Sequence, residues 1–283
     1  MNAINSAMNS LFDVLLTPLE AVGEGFAVYT LSGVFGVLAL VVFKRISWQA
    51  GITATKGKIK GHMIEIRIYQ NDLVLVSKAI CKVLLRNVQY LALNFGPFIP
   101  LSIPFVIVAA QMVTRYGFDP MPIQEPGLAG QGIELVIELN EDQKSSAADV
   151  SIDLPEGVSQ ASPIVRSPGQ GRVFVELLPQ VAGTYEIQIA VGDDAVTKML
   201  YVGDEHRGRQ MQGELVSSLL DVMLWPAEDS LSGTSFQRIA LQSYPESSPP
   251  WFPMGGPLGV LLAFVVGSMV FGLIAIKPLG VQI

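Results

Sequence analysis

The chain has 283 residues, of which 50% are hydrophobic and only 15% are charged, and its mean hydropathy is +0.44. Soluble globular proteins carry about 25% charged residues, so this composition argues against an ordinary soluble enzyme. The net charge of −7 excludes a general nucleic-acid binder, which would have a basic domain. The single cysteine, Cys81, excludes an intramolecular disulfide framework, and two histidines, His62 and His206, offer little material for metal or acid–base chemistry. We therefore predict a membrane protein that is not an enzyme and that uses no metal or cofactor.

Three apolar stretches predict three membrane spans, at residues 23–43, 88–113 and 257–276. In the first, the 19 residues from Gly25 to Phe43 include no ionisable side chain except Tyr29. A helix of this length is roughly 28 Å long, about the thickness of the hydrocarbon core of a bilayer. Gly96 and the prolines at 97, 100 and 104 interrupt the second stretch. A buried core helix is the alternative for each stretch, but uncharged core helices of this length are rare.

The distribution of lysine and arginine predicts the orientation of the spans. Nine basic and two acidic residues lie between Lys44 and Arg86, whereas eight basic and 20 acidic residues lie between Arg115 and Pro257. Cytoplasmic loops are enriched in lysine and arginine, so residues 44–87 and the tail 277–283 are predicted to be cytoplasmic. The N-terminus and the acidic region are then outside, and we expect the protein in a bacterial inner membrane.

The first 22 residues predict a helix that lies flat on the outer membrane surface. They lack the basic start and the cleavage site of a signal peptide. Apolar side chains recur at helical spacing, and Asn2, Asn5, Asn9 and Asp13 lie on another face. Pro18 is expected to end the helix or to turn the chain into the first span. The apolar side chains are Ile4, Met8, Leu11, Phe12, Leu15 and Leu16.

The cytoplasmic loop, residues 44–87, combines a strand-like and a helical pattern. Residues 51–61 are small and polar with three glycines, and Met63–Tyr69 alternates apolar and polar side chains with a period of two. Asn71 or Asp72 can cap an amphipathic helix that begins at Leu73. The candidate contacts to lipid headgroups, a nascent chain or a ribosome are Lys56, Lys58, Lys60, Arg67, Lys78, Lys82 and Arg86. Alternatively, these charges only fix the topology.

The segment Lys58–Tyr69 (KIKGHMIEIRIY), followed by Asp72 and a basic helix that enters a proline-broken span, resembles the three-span branch of the YidC/Oxa membrane-insertase superfamily. The resemblance covers residues 20–115 and, more loosely, the last span. It implies an N-outside first span, a basic cytoplasmic helical hairpin and a partly hydrophilic groove that helps substrate segments to enter the bilayer. The residues available to line a polar path are Thr30, Ser32, Gln89, Asn94, Ser102 and Gln111.

Two features depart from that family. No arginine lies within the predicted spans, whereas bacterial YidC proteins place one in their groove. The long region 114–256 separates spans two and three, where the relatives have a short connection. The resemblance therefore carries over the topology more directly than the activity.

The region between spans two and three predicts an antiparallel immunoglobulin-like β-sandwich at residues 132–203, after a linker at 114–131 that is glycine-rich from Gly127 to Gly132. Gly183-Thr184-Tyr185 resembles the tyrosine corner of such folds. Short alternating segments separated by glycine, aspartate and proline turns carry the prediction. These segments are Ile133–Leu139, Val150–Leu154, Arg172–Leu178, Tyr185–Val191 and Thr197–Val202.

Residues 204–256 predict an extension that supports this small domain. Leu215, Leu219, Leu220 and Met223 suggest a short helix that Pro226 stops, and Phe236–Ser243 suggests one more strand that completes the sheet. Trp251 and Phe252 precede the third span, where aromatic side chains anchor at the headgroup level.

Two functions remain open on the sequence. The first is an insertase-like core that assists membrane-protein insertion or assembly. The second is a structural or accessory subunit of a larger membrane complex that docks a partner through the outer β-sandwich. Both imply contacts with membrane lipid and with other membrane proteins in a hetero-oligomeric complex, and neither involves nucleic acid.

Overall fold

The computed structural model of the protein describes residues 2–124, 132–203, 213–242 and 244–281. His206 and residues 125–131 of the predicted linker lie outside the described residues. The chain divides into two compact units. One comprises Met1–Val28 and Val106–Phe264, and the other comprises Tyr29–Phe105 and Val265–Ile283.

The N-terminal segment forms the predicted helix, α1 (Asn2–Glu20), with Pro18 in its last turn rather than beyond its end. The chain then turns at Gly23, whose φ of +148° suits glycine because it has no Cβ. Helix α2 (Glu24–Ile46) follows and contains the first predicted span.

The apolar residues of α1 do not share one side of the helix. Leu11 and Leu15 are exposed, but Phe12 and Leu16 are buried. The apolar residues thus include both buried and exposed side chains. Residues 12 and 16 lie about 100° around the helix from residues 11 and 15, which is enough to place them on the protein side.

The strand-like interpretation of Met63–Tyr69 was wrong, because α3 (Gln49–Ile68) is a continuous helix. A strand needs a partner for its backbone N–H and C=O groups, whereas a helix satisfies them internally. The glycines do not loosen this segment. A Cβ at Gly57 or Gly61 would meet no atom within 4 Å, so both lie on an open helix surface.

Helix α4 (Leu73–Phe95) begins at one of the two predicted caps. The Asp72 carboxylate accepts hydrogen bonds from the backbone N–H groups of Val74 and Leu75, at 3.0 and 3.1 Å. Such a cap satisfies donors that have no partner within the helix. Helices α3 and α4 pack against each other, and we call this pair the α3–α4 hairpin.

The second predicted span is part of a longer helical stretch. Helix α5 (Phe98–Tyr116) follows α4 after a break at Gly96 and Pro97. Pro100 lies in the first turn of α5, where a missing N–H costs no intrahelical hydrogen bond. Pro104 lies within the helix. The expected interruption is therefore confined to residues 96–97.

The described residues of the acidic region contain nine strands and one further α-helix, α6 (Leu219–Leu224). We call residues 132–203 and 213–242 the β domain. Residues 141–149, part of which was predicted as a turn, form a 3-10 helix. The strands are β1 (Ile133–Leu139), β2 (Ser151–Asp153), β3 (Val158–Gln160), β4 (Val165–Ser167), β5 (Arg172–Pro179), β6 (Gly183–Val191), β7 (Asp194–Val202), β8 (Leu215–Val216) and β9 (Phe236–Leu241).

The strands form two antiparallel sheets. The larger has the order β3–β5–β1–β9–β8, with β4 also paired to β5, and the smaller has the order β2–β6–β7. This arrangement confirms the predicted sheet-rich antiparallel domain. The five predicted segments correspond to β1, β2, β5, β6 and β7, whereas the three-residue strands β3 and β4 were not predicted.

The predicted extension is an integral part of the larger sheet. Strand β9 lies between β1 and β8, so the prediction that this segment completes the sheet is confirmed for residues 236–241, and Ser243 lies outside the described residues. The predicted short helix is present as α6, Leu219–Leu224, and ends before Pro226, but it does not include Leu215. Leu215 pairs with Ile239, and both side chains are buried, which favours a strand at this position.

Side chains from both sheets meet in one hydrophobic core. Leu135 and Ile137 of β1, Ile187 of β6, and Phe236 and Ile239 of β9 are all fully buried there. The extension therefore supplies part of the core as well as part of the sheet.

The last helix, α7 (Gly256–Leu279), contains the third predicted span. Across the described residues, three helical stretches are long and apolar enough to span a membrane: Glu24–Ile46, Leu73–Tyr116 and Gly256–Leu279. The prediction of three membrane-spanning helices is confirmed at this level.

Candidate functional site

Two adjoining cavities in the second unit form a concave surface that we call the apolar groove. Their volumes are about 240 and 440 Å³. Both are lined by Gly36 and Ala39 of α2, Phe98 and Leu101 of α5, and Met269 of α7. Because helices long enough to span a membrane form its walls, the groove suits an apolar occupant.

Helices α2 and α7 approach closely along small residues spaced four apart. A Cβ at Gly36 would overlap the carbonyl oxygen of Ser268, and a Cβ at Gly267 would lie 2.8 Å from the Cβ of Ser32. Gly272 lies against Gly36 in the same contact. Small residues at this spacing allow the backbones of membrane helices to pack closely. They hold two walls of the groove at a fixed distance.

Aromatic contacts hold the third wall, α5, against α2. The ring centroids of Phe43 and Phe98 are 5.8 Å apart, and those of Phe35 and Phe105 are 6.0 Å apart. Each tilted pair contributes about 0.5–1.5 kcal/mol beyond its buried area. Phe98 and Phe105 both line the groove, so the same rings shape the cavity and fix the helix.

Asn94 of α4 supplies a polar group to the otherwise apolar lining. Its Nδ2 donates to the backbone carbonyl of Tyr90 at 2.7 Å, but its buried Oδ1 has no hydrogen-bond partner among the described residues. Leaving a buried acceptor unpaired costs about 1–3 kcal/mol. An occupant that carries an N–H or O–H group would recover that free energy.

The residues predicted to line a polar path do not gather in one place. Asn94 and Ser102 line the groove, whereas Ser32 is buried in the contact between α2 and α7. Gln89 is exposed and accepts a hydrogen bond from Arg86. Thr30 is half-buried and lines neither cavity, and Gln111 is buried and donates to Asn9 of α1.

The seven basic residues predicted to contact lipid or a nascent chain all lie on the α3–α4 hairpin. Six are exposed, and Arg86 is half-buried. Helix α3 carries four of them and α4 carries three, so both helices present positive charge. They are Lys56, Lys58, Lys60 and Arg67 on α3, and Lys78, Lys82 and Arg86 on α4.

Glu65 connects the two helices of the hairpin. Its carboxylate lies 2.9 Å from His62 Nδ1 on the same helix and 3.5 Å from Lys82 Nζ on α4. The hydrogen bond with His62, assisted by Lys82, lowers the pKa of Glu65. Glu65 and His62 are therefore placed as structural residues of the hairpin.

The end of the hairpin exposes large apolar side chains close to this positive charge. Ile64, Ile68 and Tyr69 at the end of α3 and Leu73 and Val74 at the start of α4 are all exposed, and Leu73 is 79% exposed. We call these five residues the hairpin tip. Exposed apolar residues beside basic residues are typical of a surface that binds a membrane or an apolar peptide.

The predicted interface anchors lie before α7. Trp251 packs against Gly25 of α2, where a Cβ would lie 2.7 Å from the tryptophan side chain. The rings of Trp251 and Phe252 are 6.5 Å apart, and both residues are half-buried. Their role as membrane anchors stays a prediction.

An ion pair with a buried arginine, near the end of the second span, was missed by sequence reasoning. The Arg115 side chain is only 3% exposed and pairs with Asp13 of α1 at 2.6 Å. It also donates to the Asn9 carbonyl and to Gln111 Oε1, both at 3.3 Å. The spacing of Asn5, Asn9 and Asp13 along one side of α1 was the available signal.

A second buried ion pair, Lys198 with Glu228, lies in the β domain and was also missed. Lys198 Nζ donates to Glu228 and to the Met199 carbonyl. Burial disfavours the charged ammonium, but Glu228 outweighs this effect and raises the pKa of Lys198. Burial raises the pKa of Glu228 although Lys198 opposes it. Lys198 shares the inward side of β7 with Leu200 and Val202. The alternation of inward and outward residues along this strand could therefore have predicted that Lys198 is buried.

The part of the chain that the structure describes contains no group of three or more His, Cys, Asp or Glu side chains placed to hold a metal ion. Comparison with protein-family models, curated proteins and solved structures found no match. The apolar groove and the α3–α4 hairpin are therefore the features from which a function can be inferred.

Proposed function

We propose that the protein is a non-enzymatic membrane protein that assists the insertion or assembly of other membrane proteins, with a core of the YidC/Oxa type. The apolar groove, with its unpaired Asn94 acceptor, is the observation that carries this proposal. The groove lies among helices that can span a membrane, so a segment on its way into the bilayer would meet it at the depth of the hydrocarbon core.

A membrane segment that occupies the groove gains two kinds of contact. Its apolar side chains pack against Phe98, Leu101 and Met269, where they replace lipid contacts with protein contacts. A polar group on the segment donates to Asn94 Oδ1, which removes the cost of an unpaired group from both partners. The groove would thus favour segments that are apolar but carry a hydrogen-bond donor.

The α3–α4 hairpin is proposed to receive such segments before they reach the groove. Its exposed basic residues attract anionic headgroups or acidic flanks, and the hairpin tip offers apolar contacts. The family resemblance implies a basic cytoplasmic helical hairpin, and the observed pair of helices supports that part of it. The excess of lysine and arginine between Lys44 and Arg86 favours a cytoplasmic position.

The β domain is proposed to be an immunoglobulin-like sandwich on the outer side of a bacterial inner membrane. The Tyr185 hydroxyl donates to the Val181 carbonyl at 2.8 Å, a bond back to the preceding backbone as in a tyrosine corner. The common core of the two sheets also supports a sandwich. In this position the domain would contact the outer parts of partner membrane proteins.

A structural subunit of a larger membrane complex is the second candidate function. The described lining of the apolar groove includes no charged side chain, unlike the groove of bacterial YidC proteins. A permanent partner helix would fill such a groove as well as a transient substrate would. The partner would then be one defined protein rather than many.

Site-specific photocrosslinking in cells distinguishes the two functions. A photoreactive amino acid at Met269 would lie in the groove, and the same amino acid at Ile274 is the matched control, because Ile274 is exposed on α7 but lines neither cavity. Insertion or assembly predicts crosslinks from Met269 to many newly made membrane proteins. One stoichiometric partner would support the subunit, and identical products at both positions would overturn the proposed role of the groove in either function.

A further inference from the structure

Asn5 and Asn9 of α1 bond to the protein, and most of the exposed side chains of this helix are apolar. Asn5 Nδ2 and Asn9 Nδ2 donate to the backbone carbonyls of Val222 and Pro226, at 3.4 and 2.8 Å. The outward side carries no charge, and Val14 is 74% exposed. An amphipathic helix on a water-soluble domain has the opposite arrangement, with charged or polar residues outward. Among the described side chains of α1, the exposed ones are Ala7, Leu11, Val14, Leu15 and Pro18, together with the uncharged Ser6 and Ser10.

Helix α6 of the β domain lies next to α1 and also exposes apolar side chains. It is held next to α1 by the hydrogen bonds from Asn5 and Asn9, while Val222 on its inner side is buried. On its outer side Leu220 is 74% exposed and Leu224 is 48% exposed. Two neighbouring helices from distant parts of the chain thus both expose large apolar side chains.

We propose that α1 and α6 together form a lipid-contacting surface that holds the β domain against the membrane. The partner is the acyl and glycerol region of the leaflet on the β-domain side. This inference does not rest on the proposed function, because the surface would contact lipid whether or not the groove accepts a segment.

The position of α1 along the second span places this surface at the depth of the membrane interface. Gln111 Nε2 donates to Asn9 Oδ1 at 2.7 Å, and Arg115 pairs with Asp13 at 2.6 Å. These two residues belong to the last turns of α5, which ends at Tyr116. A helix attached to the last turns of a span lies where the hydrocarbon core meets the headgroups.

Spin labelling of the full chain in vesicles of phosphatidylethanolamine and phosphatidylglycerol tests this surface. In a Cys81→Ser background, a nitroxide is attached at Val14→Cys or at Leu220→Cys, with Leu11→Cys as a second site on α1. The rate at which the nitroxide collides with oxygen, which concentrates in lipid, is compared with the rate at which it collides with a water-soluble nickel chelate. Val165→Cys is the matched control, because Val165 is also an exposed valine but lies on β4.

Lipid contact predicts that labels at residues 14, 11 and 220 collide with oxygen and lose access to the nickel chelate, whereas the label at residue 165 keeps that access. Nickel access at residues 14 and 11 equal to that at residue 165 would overturn the proposal. Labels at these sites that are immobilised and shielded from both reagents would show a protein partner instead, which would also overturn it. Lipid contact at residue 14 but not at residue 220 would contradict the proposal that α6 is part of the lipid-contacting surface.

Discussion

Gly36 of α2 packs directly against the backbone of Ser268 in α7, and a Cβ at residue 36 would overlap the Ser268 carbonyl oxygen. The obstructing atom is part of a helix backbone, so it cannot rotate away as a flexible side chain can. Both residues also line the apolar groove. This single contact therefore connects the packing of two spans with the shape of the candidate site.

The substitution Gly36→Val should destabilise the protein by about 1–3 kcal/mol or more, because α2 and α7 must separate to admit the side chain. We expect a lower melting temperature in detergent by near-ultraviolet circular dichroism. Gly57→Val is the matched control, since a Cβ at Gly57 meets no atom within 4 Å and valine has a higher helix propensity than glycine. Equal melting temperatures for the two variants would contradict the close contact.

Lys198→Met should cost about 3–5 kcal/mol of unfolding free energy, because it leaves the buried Glu228 carboxylate without its partner. Glu228→Gln should also destabilise the domain, because it leaves the buried Lys198 ammonium without a charged partner. The double variant should recover much of either loss. A thermal double-mutant cycle on the full chain measures the coupling.

Lys144→Met with Glu141→Gln is the control cycle, because this ion pair lies on the surface of the β domain with Glu141 largely exposed. Surface pairs are worth about 0–1 kcal/mol. A coupling free energy for Lys198 and Glu228 as small as that of the surface pair would show that the buried pair is not formed.

Phe236→Ala should destabilise the β domain by about 3–5 kcal/mol, since Phe236 is fully buried and fills the core between the sheets. Gln237→Ala, at the next and exposed position of β9, should change stability by less than about 0.5 kcal/mol. Both changes in stability can be measured by unfolding the full chain and monitoring the protease sensitivity of the β domain. Comparable losses would mean that β9 lies outside the core.

The sequence predicts those parts of the fold in which local signals agree with the final packing. Asp72 caps α4 because one residue is enough to determine a cap. The three long apolar stretches and five of the strands follow from composition and alternation. The prediction of a strand at Met63–Tyr69 was wrong because isoleucines at positions 64, 66 and 68 suit either a strand or a helix. Only the packing against α4 decides between these two structures.

The candidate site is less predictable because it depends on how each helix is rotated about its axis. Asn94 and Ser32 are both polar residues in apolar helices, yet one lines the groove and the other is buried against α7. The burial of Lys198 depends on Glu228, which is 30 residues further along the chain. Pattern reasoning treats each segment alone, so it could not pair these two charges.

Asp194 should make the β domain more sensitive to acid. Ser235 donates to Asp194 Oδ2 from its hydroxyl at 2.6 Å and from its backbone N–H at 2.7 Å, and these bonds lower the pKa of Asp194. The resulting stabilisation is present above the unfolded-state pKa of about 3.9 and is lost as the pH falls through the folded-state pKa. Asp194→Asn should therefore lower the melting temperature at neutral pH, and its difference from wild type should shrink in acid. Asp193→Asn, at the exposed neighbouring position, is the control, and the same pH dependence there would contradict the role of Ser235.

The proposed sidedness predicts different cysteine reactivity on the two sides of the membrane. Cys81 of α4 is exposed in the structure, and Ser145 is exposed in the 3-10 helix of the β domain. In intact cells an impermeant maleimide should label Ser145→Cys but not native Cys81, because the proposed topology, drawn from the positive-inside distribution, has the hairpin in the cytoplasm. After permeabilisation both should react, which controls for the accessibility of Cys81. Labelling of Cys81 alone in intact cells would reverse the topology, and the hairpin could then not receive segments from the cytoplasm.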